Sequence, residues 1–256
     1  MNPIQKLFQD KKNNILSVYF TAGYPTLDAT VPTLEALQTA GVDMVEIGIP
    51  FSDPIADGET IQLSSQKAIA NGMKLSVLFE QLTNIRQKVQ IPLVAMGYLN
   101  PILQYGIEKF CEACAKVGIN GVIVPDMPMQ EYLDEYKSIF EKYNLLNTFL
   151  ITPQTSDDRI RLIDQETKGF IYMVSSASVT GAKQGISTEQ VAYFERVRAM
   201  QLKNPTVIGF GISNKATFET ACNYANGAII GSAFVKAVGK EGGLQENIAE
   251  FIGNLQ

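Results

Sequence analysis

The chain contains no histidine. That absence removes Ser-His-Asp and Cys-His nucleophilic catalysis, imidazole general bases and every zinc site built on His. Cysteine is scarce as well, with three residues, Cys111, Cys114 and Cys222. An odd, low number suits a reducing cytoplasm and not a disulfide framework. Cys111 and Cys114 form a C-x-x-C without a second pair to complete a zinc tetrad. They read as packed thiols on a helix whose apolar face carries Phe110, Cys114 and Val117. No metal site is expected. No apolar run approaches the ~18 residues needed to span a bilayer, and residues 1–14 lack the apolar core of a signal peptide. A net charge of −5 with no basic patch interleaved with aromatics argues against a nucleic-acid partner. The expectation is a soluble cytoplasmic protein that engages neither nucleic acid nor membrane.

What is present is ample apolar material, 46% of 256 residues. No linker, low-complexity tract or charge block divides it, so residues 1–256 are expected to form one domain. Short β-branched or apolar runs occur at 15–21, 44–48, 93–96, 121–124, 147–151, 170–174, 206–209 and 228–230. Helical patterns alternate with them at 30–40, 77–88, 107–117, 130–143, 157–165, 189–200 and 215–225, and a final one covers 244–252. Gly41, Gly118 and Gly227 sit where a helix must stop before the next strand. Eight strands each followed by a helix predict an α/β fold, a (β/α)₈ barrel. An extra N-terminal helix at 4–10 could cover its bottom, and a short helix at 233–238 follows the last strand. A doubly wound open sheet is the alternative. Its dinucleotide form wants G-x-G-x-x-G after the first strand, where the chain reads Ala22-Gly23-Tyr24-Pro25.

In such barrels the functional groups lie where strands end and loops begin. Residues 45–58, VEIGIPFSDPIADG, place Glu46 inside an apolar run and Asp53 and Asp57 in the loop that follows. Burying an ionised Glu costs several kcal/mol, so the group tends to hold a proton instead. A protonatable Glu beside an Asp that a hydrated loop keeps ionised supplies an acid and a base near neutral pH. A Glu held by a structural hydrogen bond is the other reading. No lysine occurs in any expected strand, which argues against a Schiff-base aldolase.

The seventh and eighth strand ends, Gly209-Phe210-Gly211-Ile212-Ser213 and Gly231-Ser232, lack bulk where backbone N–H groups could approach a phosphate. Ser232 could cap the short helix; the plainer reading is tight turns and an N-cap. The sixth end opens the polar loop 175–188, with Gly181 and Gly185, which reads as a lid or else as a passive connection. Tyr19, Thr21, Tyr98, Asp126, Thr152 and Tyr172 stand at the remaining ends.

These residues resemble the α subunit of tryptophan synthase over essentially the whole chain. Residues 45–58 match that family's E-I-G-I-P-F-S-D-P-x-A-D-G signature. Tyr98-Leu-Asn-Pro101, Pro125-Asp-Met-Pro128, Ser178-Val-Thr-Gly181 and Gly209-Phe-Gly-Ile-Ser213 match further stretches in order. The resemblance implies retro-aldol cleavage of indole-3-glycerol phosphate to indole and glyceraldehyde 3-phosphate, with no cofactor in this chain. It implies that Glu46 is the acid/base and that Asp57 holds the indole N–H. Tyr19, where the family often has Phe, and Tyr172 then line the pocket. Gly181, Gly211 and Ser232 contact phosphate, flanked by Gly209, Phe210 and Gly231, and Thr180 reaches Asp57 from the lid. The implied partner is a pyridoxal-phosphate β subunit in an α2β2 assembly. Glu59 stands where the family usually has proline and Ser178 where it often has glycine. Competing expectations are an indole-glycerol-phosphate synthase, a non-catalytic regulatory subunit and a stand-alone lyase.

Overall fold

The structure is a computed structural model that describes residues 1–175, 187–209 and 211–255. Its strands are β1 (Ile15–Thr21), β2 (Met44–Gly48), β3 (Leu93–Met96), β4 (Gly121–Ile123), β5 (Leu146–Thr148), β6 (Leu150–Ile151), β7 (Ile171–Val174), β8 (Thr206–Gly209) and β9 (Gly227–Ile230). They form one sheet in the order β5-β4-β3-β2-β1-β9-β8-β7-β6, and every pairing is parallel. The run expected at 147–151 is interrupted at Phe149. Its first piece pairs with β4 and its second with β7, and the Tyr172 N–H donates to the Phe149 carbonyl at 3.0 Å. That broken strand joins the two ends of the sheet, so the architecture is the expected α/β barrel with eight strand positions.

Strand period decides what faces inward. On β1 the residues Leu16, Val18 and Phe20 pack outward against the helices, while Ile15 and Tyr19 join the inner cluster with Met44, Val94, Ile123, Val207 and Ile229. Helix α1 (Pro3–Asp10) closes one end, and α2 (Thr30–Thr39) follows β1. Asn2 accepts from the Ile4 N–H at 2.9 Å in a capping box with Gln5, and Pro3 occupies the first turn. Its buried face, Ile4 and Phe8, plugs the floor, with the Phe8 and Phe170 rings 5.6 Å apart. The opposite, C-terminal end is left for chemistry.

Gly41 and Gly118 take left-handed φ values of 83° and 85° at helix ends, as expected of C′ glycines. Gly227 does not. It lies within β9, where a Cβ would sit 2.2 Å from the Ile15 carbonyl oxygen, so close strand approach requires it and not a helix stop. The pattern at 77–88 divides into a helix, Leu75–Gln81, and a 3₁₀ turn, Ile85–Gln87. The one at 130–143 contains a π-helical turn, Tyr132–Tyr136. Cys111 and Cys114 are buried on the helix Ile107–Val117, and burial pushes the Cys111 thiol up to about 12. Among the described residues no helix is long and apolar enough to cross a membrane.

Candidate active site

The register of β1 with β2 builds the centre. Tyr19 pairs with Glu46 and Thr21 with Gly48, so Tyr19, Glu46 and Gly48 share the interior face near the barrel mouth. Glu46 is 0% exposed. The Ser17 hydroxyl donates to its Oε1 at 3.1 Å, and its Oε2 is buried without a hydrogen-bond partner among the described residues. Burial raises the carboxyl pKa to about 8, against the opposing pull of the Ser17 bond. Such a group is protonated at neutral pH yet close enough to ionisation to give a proton and take one back.

Two tyrosines flank it by one device. A Cβ on Gly48 would lie 2.2 Å from the Tyr19 Oη, and one on Gly209 would lie 2.1 Å from the Tyr172 Oη. Each phenol therefore occupies space that only glycine on the neighbouring strand leaves open, which gives Gly209 a packing reason of its own. Burial raises both phenol pKa values, and the charges of Glu46 and Asp57 push each further in the same direction. The rings stay neutral, and both feel the charges of Glu46 and Asp57.

Asp57 comes from the loop between β2 and helix α3 (Glu59–Ala70). The residues around it predict a polar, hydrated loop, but the carboxylate is half-buried and burial raises its pKa; a hydrogen bond with the Tyr98 side chain works against that rise. Tyr98, at the end of β3, also accepts the Ala56 N–H at 3.0 Å and packs its ring 5.2 Å from Phe51. Gln62 of α3 donates to the Asp57 carbonyl at 2.7 Å. Asp53 is exposed and bonded to Ser52, apart from this group. Glu59 is the exposed first residue of α3.

Thr21 ties β1 to α3 through Ser64 at 2.7 Å, and Asp126 accepts the Leu99 N–H at 2.9 Å. Thr152 takes part in a local turn, its N–H donating to Thr155 at 2.9 Å. These strand-end residues do structural work. Ser17 is the addition that the sequence alone did not single out, while Tyr98, which stands among the strand-end residues, proves to hold the loop that carries Asp57. A lone polar residue two positions before Tyr19 on an apolar strand was the available signal for Ser17.

At the ends of β8 and β9, Gly211 takes a φ of 77°, and among the described residues a Cβ there would meet only the Ser175 Oγ, at 3.6 Å. Gly231 is the N-cap of the helix Ser232–Val238 and makes no side-chain cap, so Ser232 is inside the helix and does not cap it. A residue without a side chain already holds the cap position, leaving the Ser232 side chain exposed. Ser178, Thr180, Gly181 and Phe210, with most of the loop 175–188, lie outside the described residues. Among the described residues no cluster of three or more His, Cys, Asp or Glu could hold a metal ion.

A parallel barrel with a buried protonatable Glu, a loop carboxylate and two neutral phenols at its C-terminal mouth holds the kinds of group that acid–base chemistry in barrel enzymes uses. The family model described as "Tryptophan synthase alpha chain" matches residues 4–254. The chain is 59% identical to the tryptophan synthase alpha chain of Flavobacterium johnsoniae, with 100% of both covered. It is 55% identical to that of Phocaeicola vulgatus, with 98% of this chain and 97% of the relative covered. Among solved structures, a mutant tryptophan synthase alpha-subunit from Pyrococcus furiosus superposes with a TM-score of 0.87 at 34% identity, covering 95% of this chain and 98% of that one. Tryptophan synthase of Mycobacterium tuberculosis in its aminoacrylate-bound form gives 0.87 at 28% identity, covering 100% and 98%. The chain belongs to the tryptophan synthase alpha chain family, lyases that cleave indole-3-glycerol phosphate.

Proposed function

We propose that Glu46 and Asp57 carry this cleavage between them. Glu46 protonates the indole ring carbon and then takes the proton from the side-chain hydroxyl. The carbon–carbon bond breaks, releasing indole and glyceraldehyde 3-phosphate. Asp57 accepts the indole N–H and faces the positive charge that develops on the ring. The observation that carries this reading is the fully buried Glu46 with one unpartnered oxygen, in a space shared with Asp57. Tyr19 and Tyr172 line the pocket, and their buried hydroxyls are held neutral.

The phosphate would be held by backbone N–H groups at Gly211, Gly231 and Ser232, at the β8 and β9 ends where side-chain bulk is absent. Glycerol phosphate should then protect the chain against thermal unfolding, and Gly211→Asp should remove that protection. Equal protection by unphosphorylated glycerol would count against it.

The partner would be a β subunit carrying pyridoxal phosphate, in an α2β2 assembly in the cytoplasm, with no cofactor in this chain. Support comes from the likeness to complete tryptophan synthase and from Ile55, 85% exposed on the loop that carries Asp57. The deciding experiment is indole release by the purified chain, with and without β subunit. Slow release that rises on titration supports the reading, and a fast chain indifferent to the partner would favour the stand-alone lyase.

A further inference from the structure

Ser17 lies one interior layer closer to the barrel floor than Glu46, since the register pairs Ser17 with Met44 and Tyr19 with Glu46. It is completely buried, in an inward row otherwise formed by Ile15 and Tyr19. A hydroxyl in such a place costs free energy unless paired. Its partner is one particular atom, Glu46 Oε1 at 3.1 Å, while Oε2 of the same carboxyl has none among the described residues. A carboxyl on a flexible side chain can rotate to present either oxygen. One hydrogen-bonded from below favours a single orientation.

We infer that Ser17 is a positioning residue for Glu46, its hydroxyl anchoring Oε1 from the floor side and leaving Oε2 as the oxygen that exchanges the proton with substrate. This rests on the acid–base reading of Glu46 given above. The bond does more than orient. A hydroxyl donates more strongly to a carboxylate than to a neutral acid, so Ser17 favours the ionised form while burial favours the protonated one. The two influences meet in a group that must be an acid in one step and a base in the next. The titratable groups beside it are Tyr19 on β1 and Tyr172 on β7, and the charge of Asp57, from the loop after β2, reaches the same two phenols. Both phenols stay neutral through the working range, and Asp57 titrates, so the measurement must report Glu46 alone.

Infrared difference spectroscopy of the folded chain does that, following the C=O stretch of protonated Glu46 against pH and assigning it by its loss in Glu46→Gln. In Ser17→Ala the midpoint should move to higher pH by about one unit. In the complex with β subunit, kcat for indole release should fall about tenfold while KM changes little, since the loss lies in proton transfer and not in binding. Ser17→Thr, which keeps the hydroxyl, should bring both quantities back toward wild type. An unmoved midpoint in Ser17→Ala, or a change confined to KM, would overturn the inference. The midpoint is read without substrate, so it tests the Ser17 contact separately from the role of Glu46. Abolition of turnover in Glu46→Gln tests that role.

Discussion

Glu46 is carried by a strand paired on both sides, with β1 at Tyr19 and with β3 at Val94, whereas Asp57 hangs on a loop tied down by the Tyr98 hydroxyl and the Gln62 amide. The strand residue is fully buried, and its carboxyl makes one hydrogen bond among the described residues. The loop residue is half-buried and sits two residues from the exposed Ile55. Two carboxylates of one site thus obtain their properties in opposite ways. The proton affinity of Glu46 is set by packing that cannot change without unfolding the barrel. That of Asp57 depends on a loop with few ties, which something docking on the mouth could tighten. The difference separates a fixed acid from an adjustable electrostatic partner.

The largest effect should come from breaking the fixed half. Glu46→Gln keeps shape and can still accept from Ser17 but cannot shuttle a proton, so indole release should fall by about 10²–10⁴-fold. Retention of a tenth or more of the activity would refute the assignment. Stability should move the other way. Burial raises the Glu46 pKa from 4.5 to about 8. Between those values the folded chain keeps a proton that the unfolded chain has lost, so wild-type stability falls as pH rises, by about 1.4 kcal/mol per pH unit. Glutamine carries no such penalty. Urea unfolding should show the variant gaining on wild type from about pH 5 to about pH 8 and levelling off above. A constant difference across that range would mean that Glu46 does not titrate as a buried acid.

Asp57→Asn should also inactivate, by about 10²–10³-fold, because a neutral amide cannot face the cationic ring. It should lack the steep stability signature, since the carboxylate it replaces is only half-buried. A stability slope as large as that of Glu46→Gln would erase the distinction between the two groups.

Gly48→Ala attacks the fixed half without touching a charge. The new methyl would fall 2.2 Å from the Tyr19 Oη, so the ring or the strand must shift beside Glu46. Overpacking of this kind costs about 1–3 kcal/mol, and displacement near the reacting groups can cost up to about a hundredfold in rate. Gly209→Ala should act likewise against Tyr172. In a Tyr19→Ala background Gly48→Ala should cost much less stability than in wild type, and an equal cost in both backgrounds would place the strain elsewhere.

Strand positions were legible because barrel strands, buried on both faces, appear as short apolar runs between helical patterns. Glu46 stood out as a charge within such a run. The remainder was set by contacts distant in sequence, which local pattern does not encode. Gly227 reads as a helix stop until the Ile15 carbonyl is found against it. The π turn at Tyr132–Tyr136 looks like any helix, and Phe149 breaks a strand only because its flanks pair with different neighbours. Ser17 gains meaning from a residue on the next strand, and Tyr98 from a loop following another strand.

The smallest and most discriminating change is Tyr98→Phe. It removes one oxygen, leaving the ring on Phe51 while the Ala56 N–H loses its acceptor and Asp57 loses its bond to the phenol. Ala56 is exposed, so water can replace the lost acceptor, and the activity cost should be only about fivefold in kcat/KM. The informative readout is the pH profile. The Tyr98 bond lowers the Asp57 pKa, so removing it should raise that pKa. Because Asp57 acts ionised, the acid limb should move to higher pH. The alkaline limb, governed by a strand-held Glu46 that Tyr98 does not bond, should stay where it is. Movement of the alkaline limb instead would mean that the two carboxylates titrate as one coupled unit, and the contrast between a fixed and an adjustable group would fail.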